Sequence, residues 1–206
     1  MIIKVCGMRE AENIRKVATL GVNWMGFIFY AKSPRAVDGT LLLQADLLSA
    51  GQKRVGVFVN ASVASLMEAA NRYRLDYLQL HGSESPEDCY ALQKRGYSLI
   101  KAFQVATSED LERTKAYEGR VDYFLFDTKC ESYGGSGRQF DWSVLEAYKG
   151  ETPFLLSGGI RPDSVASIQA FHHPRLAGID LNSGFEIRPG LKDIEKLKIF
   201  IKQIKN

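Results

Sequence analysis

About eight times along this chain a short apolar run gives way to a segment whose apolar residues recur at helical spacing, and that alternation restricts the fold more than any other feature. The strand-like runs are 2–5, 24–29, 54–59, 76–80, 99–103, 123–126, 154–156 and 176–180. The spacing predicts helices over 10–20, 40–48, 62–73, 110–117, 142–148, 162–171 and 192–204, and a further one opened by Ser85-Pro86-Glu87-Asp88. Ser62 is the cap of the third, and Pro86 sits at a first helical position, where a missing amide donor costs little. Strands that are apolar throughout bury both faces, and parallel pairs need crossovers, so helices must cover a parallel sheet. Eight consecutive units favour a closed (β/α)₈ TIM barrel over an open doubly wound sheet. The open alternative usually carries a phosphate loop after its first strand, and Cys6-Gly7-Met8-Arg9 is no GxGxxG.

With 206 residues, 45% apolar and 25% charged, residues 1–206 are expected to form one α/β domain around a single sizeable core, and no Ser/Pro-rich linker divides them. The net charge of +3 is spread along the chain. Its one dense basic cluster, Lys192, Lys196, Lys198, Lys202 and Lys205, is interleaved with Leu197, Ile199, Phe200, Ile201 and Ile204. That pattern reads as the solvated face of an amphipathic helix, not a nucleic-acid arm. No stretch approaches the roughly 18 apolar residues of a membrane span, and Met1-Ile2-Ile3-Lys4-Val5 is too short for a signal segment. Cys6, Cys89 and Cys130 are odd in number and widely spaced, which suggests neither a disulfide framework nor a zinc site. The expectation is a soluble, cytoplasmic protein without membrane or nucleic-acid partner.

A barrel gathers its strand-to-helix junctions on one face, where chemistry is located. Those junctions are chemically rich: Cys6-Gly7, Ser33-Pro34-Arg35, Asn60, His81-Gly82, Gln104, Asp127, Ser157-Gly158-Gly159 and Asn182-Ser183-Gly184. The opposite junctions hold little besides turn residues such as Gly21, Gly96 and Gly150. Asp127 ends the apolar run Phe124-Leu125-Phe126 and is followed by the glycine-rich stretch Tyr133-Gly134-Gly135-Ser136-Gly137 and by Phe140-Asp141-Trp142, so it is the first catalytic candidate; a turn-capping role is the alternative. Gly158 and Gly159 let backbone N–H groups approach an anion, and Ser183 and Gly184 open a stretch suited to a short extra helix. Loops after the seventh and eighth strands commonly hold phosphate, so a phosphorylated small molecule is the expected ligand.

Taken together, Lys4-Val5-Cys6-Gly7-Met8, Ser33-Pro34-Arg35, Gln79-Leu80-His81-Gly82, Asp127 with its glycine-rich stretch, Leu156-Ser157-Gly158-Gly159 and Asp180-Leu181-Asn182-Ser183-Gly184-Phe185-Glu186 resemble the phosphoribosylanthranilate isomerase family of tryptophan biosynthesis, in matching order. Ser157 stands where Ala is common, and Asn182 where Ser or Asp is frequent. The resemblance implies a barrel without cofactor or metal, a base at Cys6, an acid at Asp127 and an arginine, Arg35, for the substrate carboxylate. It implies an Amadori rearrangement of N-(5-phosphoribosyl)anthranilate. The amino end of the following helix is expected to favour the Cys6 thiolate. His81 would touch the substrate or be a structural hydrogen-bonder, and Asp180 would bond ribose hydroxyls or anchor the last loop. A related aminoaldose isomerase using two aspartates, and a silent phosphate binder on the same scaffold, are the rival readings. Monomer and homodimer are both open.

Overall fold

The computed structural model describes residues 1–43, 47–128 and 142–205. Cys130, Tyr133, Gly134, Gly135, Ser136, Gly137, Phe140 and Asp141 lie outside the described residues, as do 44–46 of the expected second helix. Eight strands, β1 (Ile2–Val5), β2 (Trp24–Ile28), β3 (Lys53–Phe58), β4 (Tyr77–Leu80), β5 (Leu99–Val105), β6 (Tyr123–Thr128), β7 (Phe154–Ser157) and β8 (Leu176–Leu181), close a parallel barrel in chain order. Closure is a four-residue ladder in which Ile2, Ile3, Lys4 and Val5 of β1 pair with Gly178, Ile179, Asp180 and Leu181 of β8.

Around the barrel lie α1 (Ala11–Ala18), α2 (Val63–Tyr73), α3 (Pro86–Gln93), α4 (Val165–Ala170) and α5 (Ile194–Lys205). Ser62 caps α2 by accepting from the Ser65 amide, and Ser85 and Asp88 form a reciprocal capping box on α3. Three expected helices are instead 3₁₀ turns, over Gly39–Leu43, Ser108–Tyr117 and Trp142–Ala147. In the second of these, side chains favour the tighter winding. Thr114 Oγ1 donates to the Leu111 carbonyl at 2.6 Å and Arg113 Nε to that of Asp110 at 3.2 Å, each three residues back.

The inside of the barrel is filled at its amino-terminal end by Trp24, Tyr77 and Tyr123, with Trp24 stacked on Tyr77 at 4.6 Å between ring centres. Val55, Ile100, Leu125 and Leu155 complete that plug, so the open end is the carboxyl one. Outside the strands, Phe124, Phe126, Tyr148 and Phe154 form an aromatic cluster beneath the helices. A small antiparallel pair, β9 (Glu186–Arg188) and β10 (Leu191–Lys192), follows β8 and was not expected. It changes the reading of Lys192, which is 1% exposed on β10 and not on the solvated face of α5. No helix among the described residues is long and apolar enough to cross a membrane.

Candidate active site

A cavity of about 390 Å³ occupies the carboxyl end of the barrel. Cys6 reaches it from β1, His81 and Gln79 from β4, Asp127 from β6, Gly158 and Gly159 from the loop after β7, and Asp180 from β8. Arg35 enters from the loop after β2 and Ser183 from the turn after β8. Gly184 lies in an adjoining cavity of about 330 Å³, which it shares with Gly159 and Ser183. Asn60 does neither: its side chain accepts from the Ser83 amide and hydroxyl and braces the next loop. Gln104 faces a separate cavity.

Cys6 sits directly after β1, its amide bonded to the Leu181 carbonyl of β8. Gly7 follows with φ +75°, and a Cβ there would lie 2.9 Å from both Arg35 Cδ and Asn182 Oδ1. A glycine is therefore what lets three loops converge beside the thiol. Burial, helped by the Asp180 carboxylate, holds the Cys6 thiol above its ordinary value, although the ammonium groups of Lys4 and Lys192 pull it down. The counter-charge comes from these side chains; α1 begins only at Ala11, five residues on.

Lys4 is wholly buried in the barrel wall and donates to Asp180 Oδ1 at 2.9 Å and to the Cys6 sulfur. Burial works to lower Lys4, yet the Asp180 carboxylate and Cys6 hold its ammonium above the usual lysine range. Burial pushes Asp180 up, opposed by Lys4. On the other side of Cys6, Lys192 donates to Glu186 Oε1 and to Asn182 Oδ1, each at 2.8 Å. Glu186 also receives Arg35, with Nε at 2.9 Å and one Nη at 2.7 Å. Although burial works to raise it, the hydrogen bonds from Arg35 and Lys192 bring Glu186 down to about 2. Glu186 thus joins Arg35, which lines the cavity, to the buried Lys192 as one charged cluster.

Across the cavity His81 Nε2 stands 3.6 Å from Asp127 Oδ2, and Gln79 Nε2 lies 3.0 Å from His81 Nδ1. The turns after β7 and β8 adjoin, and the expected short extra helix is present as a single turn. Gly158 and Gly159 have φ +84° and +65°, and Ser183–Phe185 forms a 3₁₀ turn. The carboxyl end of an eight-stranded barrel thus gathers a thiol, a carboxyl and the paired turns after β7 and β8 around one cavity. A family model of N-(5'phosphoribosyl)anthranilate (PRA) isomerase matches residues 3–203 of the chain. The chain belongs to that family. It is 68% identical over 206 residues to the N-(5'-phosphoribosyl)anthranilate isomerase of Parabacteroides distasonis, covering 99% of this chain and 93% of that one. The corresponding protein of Phocaeicola vulgatus is 50% identical, covering 100% and 98%. The crystal structure of phosphoribosyl anthranilate isomerase from Thermotoga maritima superposes with a TM-score of 0.86 at 34% identity, covering 100% of this chain and 99% of that one. A phosphoribosyl anthranilate isomerase in complex with reduced 1-(o-carboxyphenylamino)-1-deoxyribulose 5-phosphate does so at 0.84 and 32%, with the same coverage.

In this isomerase barrel the residues that sequence reasoning passed over are the buried ions around Cys6 and Arg35: Lys4, Glu186 and Lys192. A signal for Lys4 was present. A lysine inside the apolar run Ile2-Ile3-Lys4-Val5 must find a buried anion or leave the strand, since an unpaired ammonium is too costly to bury. The same logic applies to Lys101 in β5, which is 2% exposed and pairs with Glu84 at 3.2 Å.

Proposed function

We propose that residues 1–206 act as one catalytic domain in tryptophan biosynthesis, rearranging N-(5-phosphoribosyl)anthranilate to 1-(2-carboxyphenylamino)-1-deoxyribulose 5-phosphate, with Asp127 as acid and Cys6 as base. The observation that carries this reading is that Cys6 and Asp127 face one cavity from β1 and β6, with the glycine corner of β7 and β8 between them in strand order.

Asp127 gives a proton to the furanose ring oxygen. The bond from that oxygen to C1′ breaks as the nitrogen lone pair forms an iminium. Cys6, whose thiolate form the Lys4 ammonium beside it favours against burial, then takes the C2′ proton, and the electron pair becomes the C1′–C2′ double bond of a neutral enaminol. Transfer of the enol proton to C1′ leaves the ketone. Backbone N–H groups around Gly158, Gly159, Ser183 and Gly184 receive the phosphate. The apolar wall of Ile28, Val57 and Val59 suits the aromatic ring, with Arg35 at its edge for the carboxylate. Because Glu186 occupies Nε and one Nη, the carboxylate must meet the remaining donors of the guanidinium. His81 and Asp180 line the same cavity, within reach of a ribosyl group bound between Cys6 and Asp127 in this reading.

Cys6 and Cys89 are free thiols, in keeping with a reduced, cytoplasmic setting. One structure of the Thermotoga maritima enzyme is described as monomers of a dimeric protein. For this chain monomer and homodimer are distinguished by sedimentation equilibrium.

The deciding experiment follows loss of substrate fluorescence on turnover. Cys6→Ala and Asp127→Asn should each lower kcat by about 10² or more while the fold is kept, because each positioned acid or base is worth a factor of about 10² to 10⁴. Near-parental turnover by a folded Cys6→Ala protein rules out the thiol as base.

A further inference from the structure

We propose that Gln79 is a positioning residue for the acid step: its side-chain amide fixes the tautomer of His81, and its carbonyl oxygen is left to accept a hydroxyl of the substrate's ribosyl group. The inference rests on the reading of Asp127 as the acid. Gln79 is 1% exposed on β4, two residues before His81, so both side chains point into the barrel. Its Nε2 is 3.0 Å from His81 Nδ1. Its Oε1 is buried, has no hydrogen-bond partner among the described residues, and belongs to a side chain that lines the cavity. Buried polar atoms in native proteins are nearly always satisfied, so an orphan acceptor on a side chain that lines the cavity points to a donor that arrives with the ligand.

The amide orientation, with its nitrogen towards the ring, sets the tautomer of His81. An amide N–H₂ can only donate, so a Gln79 nitrogen at 3.0 Å makes His81 Nδ1 the acceptor and places the ring proton on Nε2. That N–H faces Asp127 Oδ2 across 3.6 Å, a separation that substrate binding can tighten. With a donor on Oδ2, the proton of a neutral Asp127 carboxyl resides on Oδ1, free for the ring oxygen. The same N–H then receives the carboxylate once that proton has gone. The opposite tautomer would present a lone pair to Asp127 and take its proton away from the substrate. Gln79 thereby directs the acid without touching the reacting atoms.

The test begins with the unsubstituted protein. ¹⁵N NMR of its histidine ring nitrogens, with His81 assigned by loss of its signals in His81→Asn, should show the Nε2–H tautomer for neutral His81. A dominant Nδ1–H form overturns the proposal, and this measurement stands even if no Gln79 variant folds. Gln79→Leu, close in volume but unable to hydrogen-bond, should lower kcat about tenfold or more, mix the His81 tautomers and weaken binding of a reduced product analogue. In the double variant Gln79→Leu/His81→Asn the two losses should not add, because one acts through the other. Parental kcat in Gln79→Leu, or fully additive losses, also overturns it. Failure of the underlying functional reading looks different: the parent protein would not turn over the substrate, whatever the His81 tautomer.

Discussion

At the scale of single residues, Cys6 owes its setting to two lysines from opposite ends of the chain. Lys4 is two residues before it and Lys192 far beyond it, and both ammonium groups oppose the effect of burial on the thiol. Lys4→Met should therefore have two effects. Removing one partner of a buried ion pair leaves Asp180 uncompensated, an effect of about 3–5 kcal/mol measurable by urea unfolding. The Cys6 thiol, left with one cation, should titrate higher, so the limb of the pH–kcat/KM profile owed to the base should move to more alkaline pH in Lys4→Met. An unmoved limb would mean that Lys4 is purely structural. Arg35 offers a second test, because Glu186 already holds part of its fork. Arg35→Ala should raise KM markedly, and Arg35→Lys should recover only part of it, since an ammonium cannot bond Glu186 and a carboxylate in one plane. Equal KM for Arg35→Lys and the parent would exclude a geometric role. That Cys6, Asp127 and Arg35 share one cavity was legible because they stand where β1, β6 and β2 give way to the loops at the barrel's carboxyl end. Lys4 was not, because the Asp180 that explains it is 176 positions away.

At the scale of elements, all eight strands stand within a residue or two of their sequence-derived bounds, because a fully buried strand announces itself as an apolar run. The helical segments were less legible. An apolar period cannot distinguish an α-helix from a 3₁₀ turn when side chains such as Thr114 bond carbonyls three residues back. The β9–β10 pair was hidden for another reason. Its strands of three and two residues are too short to show alternation, and its position depends on Asn13 of α1, which exchanges two hydrogen bonds with the Lys192 backbone. The turn after β7 yields a prediction of its own. Gly158 has φ +84°, a region closed to a β-branched residue. Gly158→Val should twist this turn, obstruct the backbone donors and weaken binding of a phosphorylated product analogue by at least about tenfold, measured by calorimetry. The barrel should remain folded by circular dichroism. Undiminished affinity would place the phosphate elsewhere.

Across the whole molecule, Glu186 of β9 ties the loop after β2 to β10 and to the turn before it through Arg35, Lys192 and the Gly190 amide. Its carboxyl is held at about 2 in the folded state against an ordinary value of 4.5. A depressed folded value contributes stability that is full above the unfolded pKa and is lost as pH falls towards the folded one, here between about 4.5 and 2. Glu186→Gln should cost on the order of 2–3 kcal/mol at neutral pH, and its gap to the parent should close through that window in denaturant titrations. A constant gap would show that packing, not charge, is at stake. The ladder that joins β1 to β8 has a further consequence during synthesis. A ribosome delivers Lys4 and Cys6 first and Asp180, Glu186 and Lys192 nearly a whole domain later. Until those late residues emerge, β1 has no partner on one edge and its lysine no anion, so a growing chain must hold the Cys6 thiol in a half-finished wall. Translation pauses or chaperones that act before residue 176 would therefore meet a chain with an open seam and no enzyme yet in it.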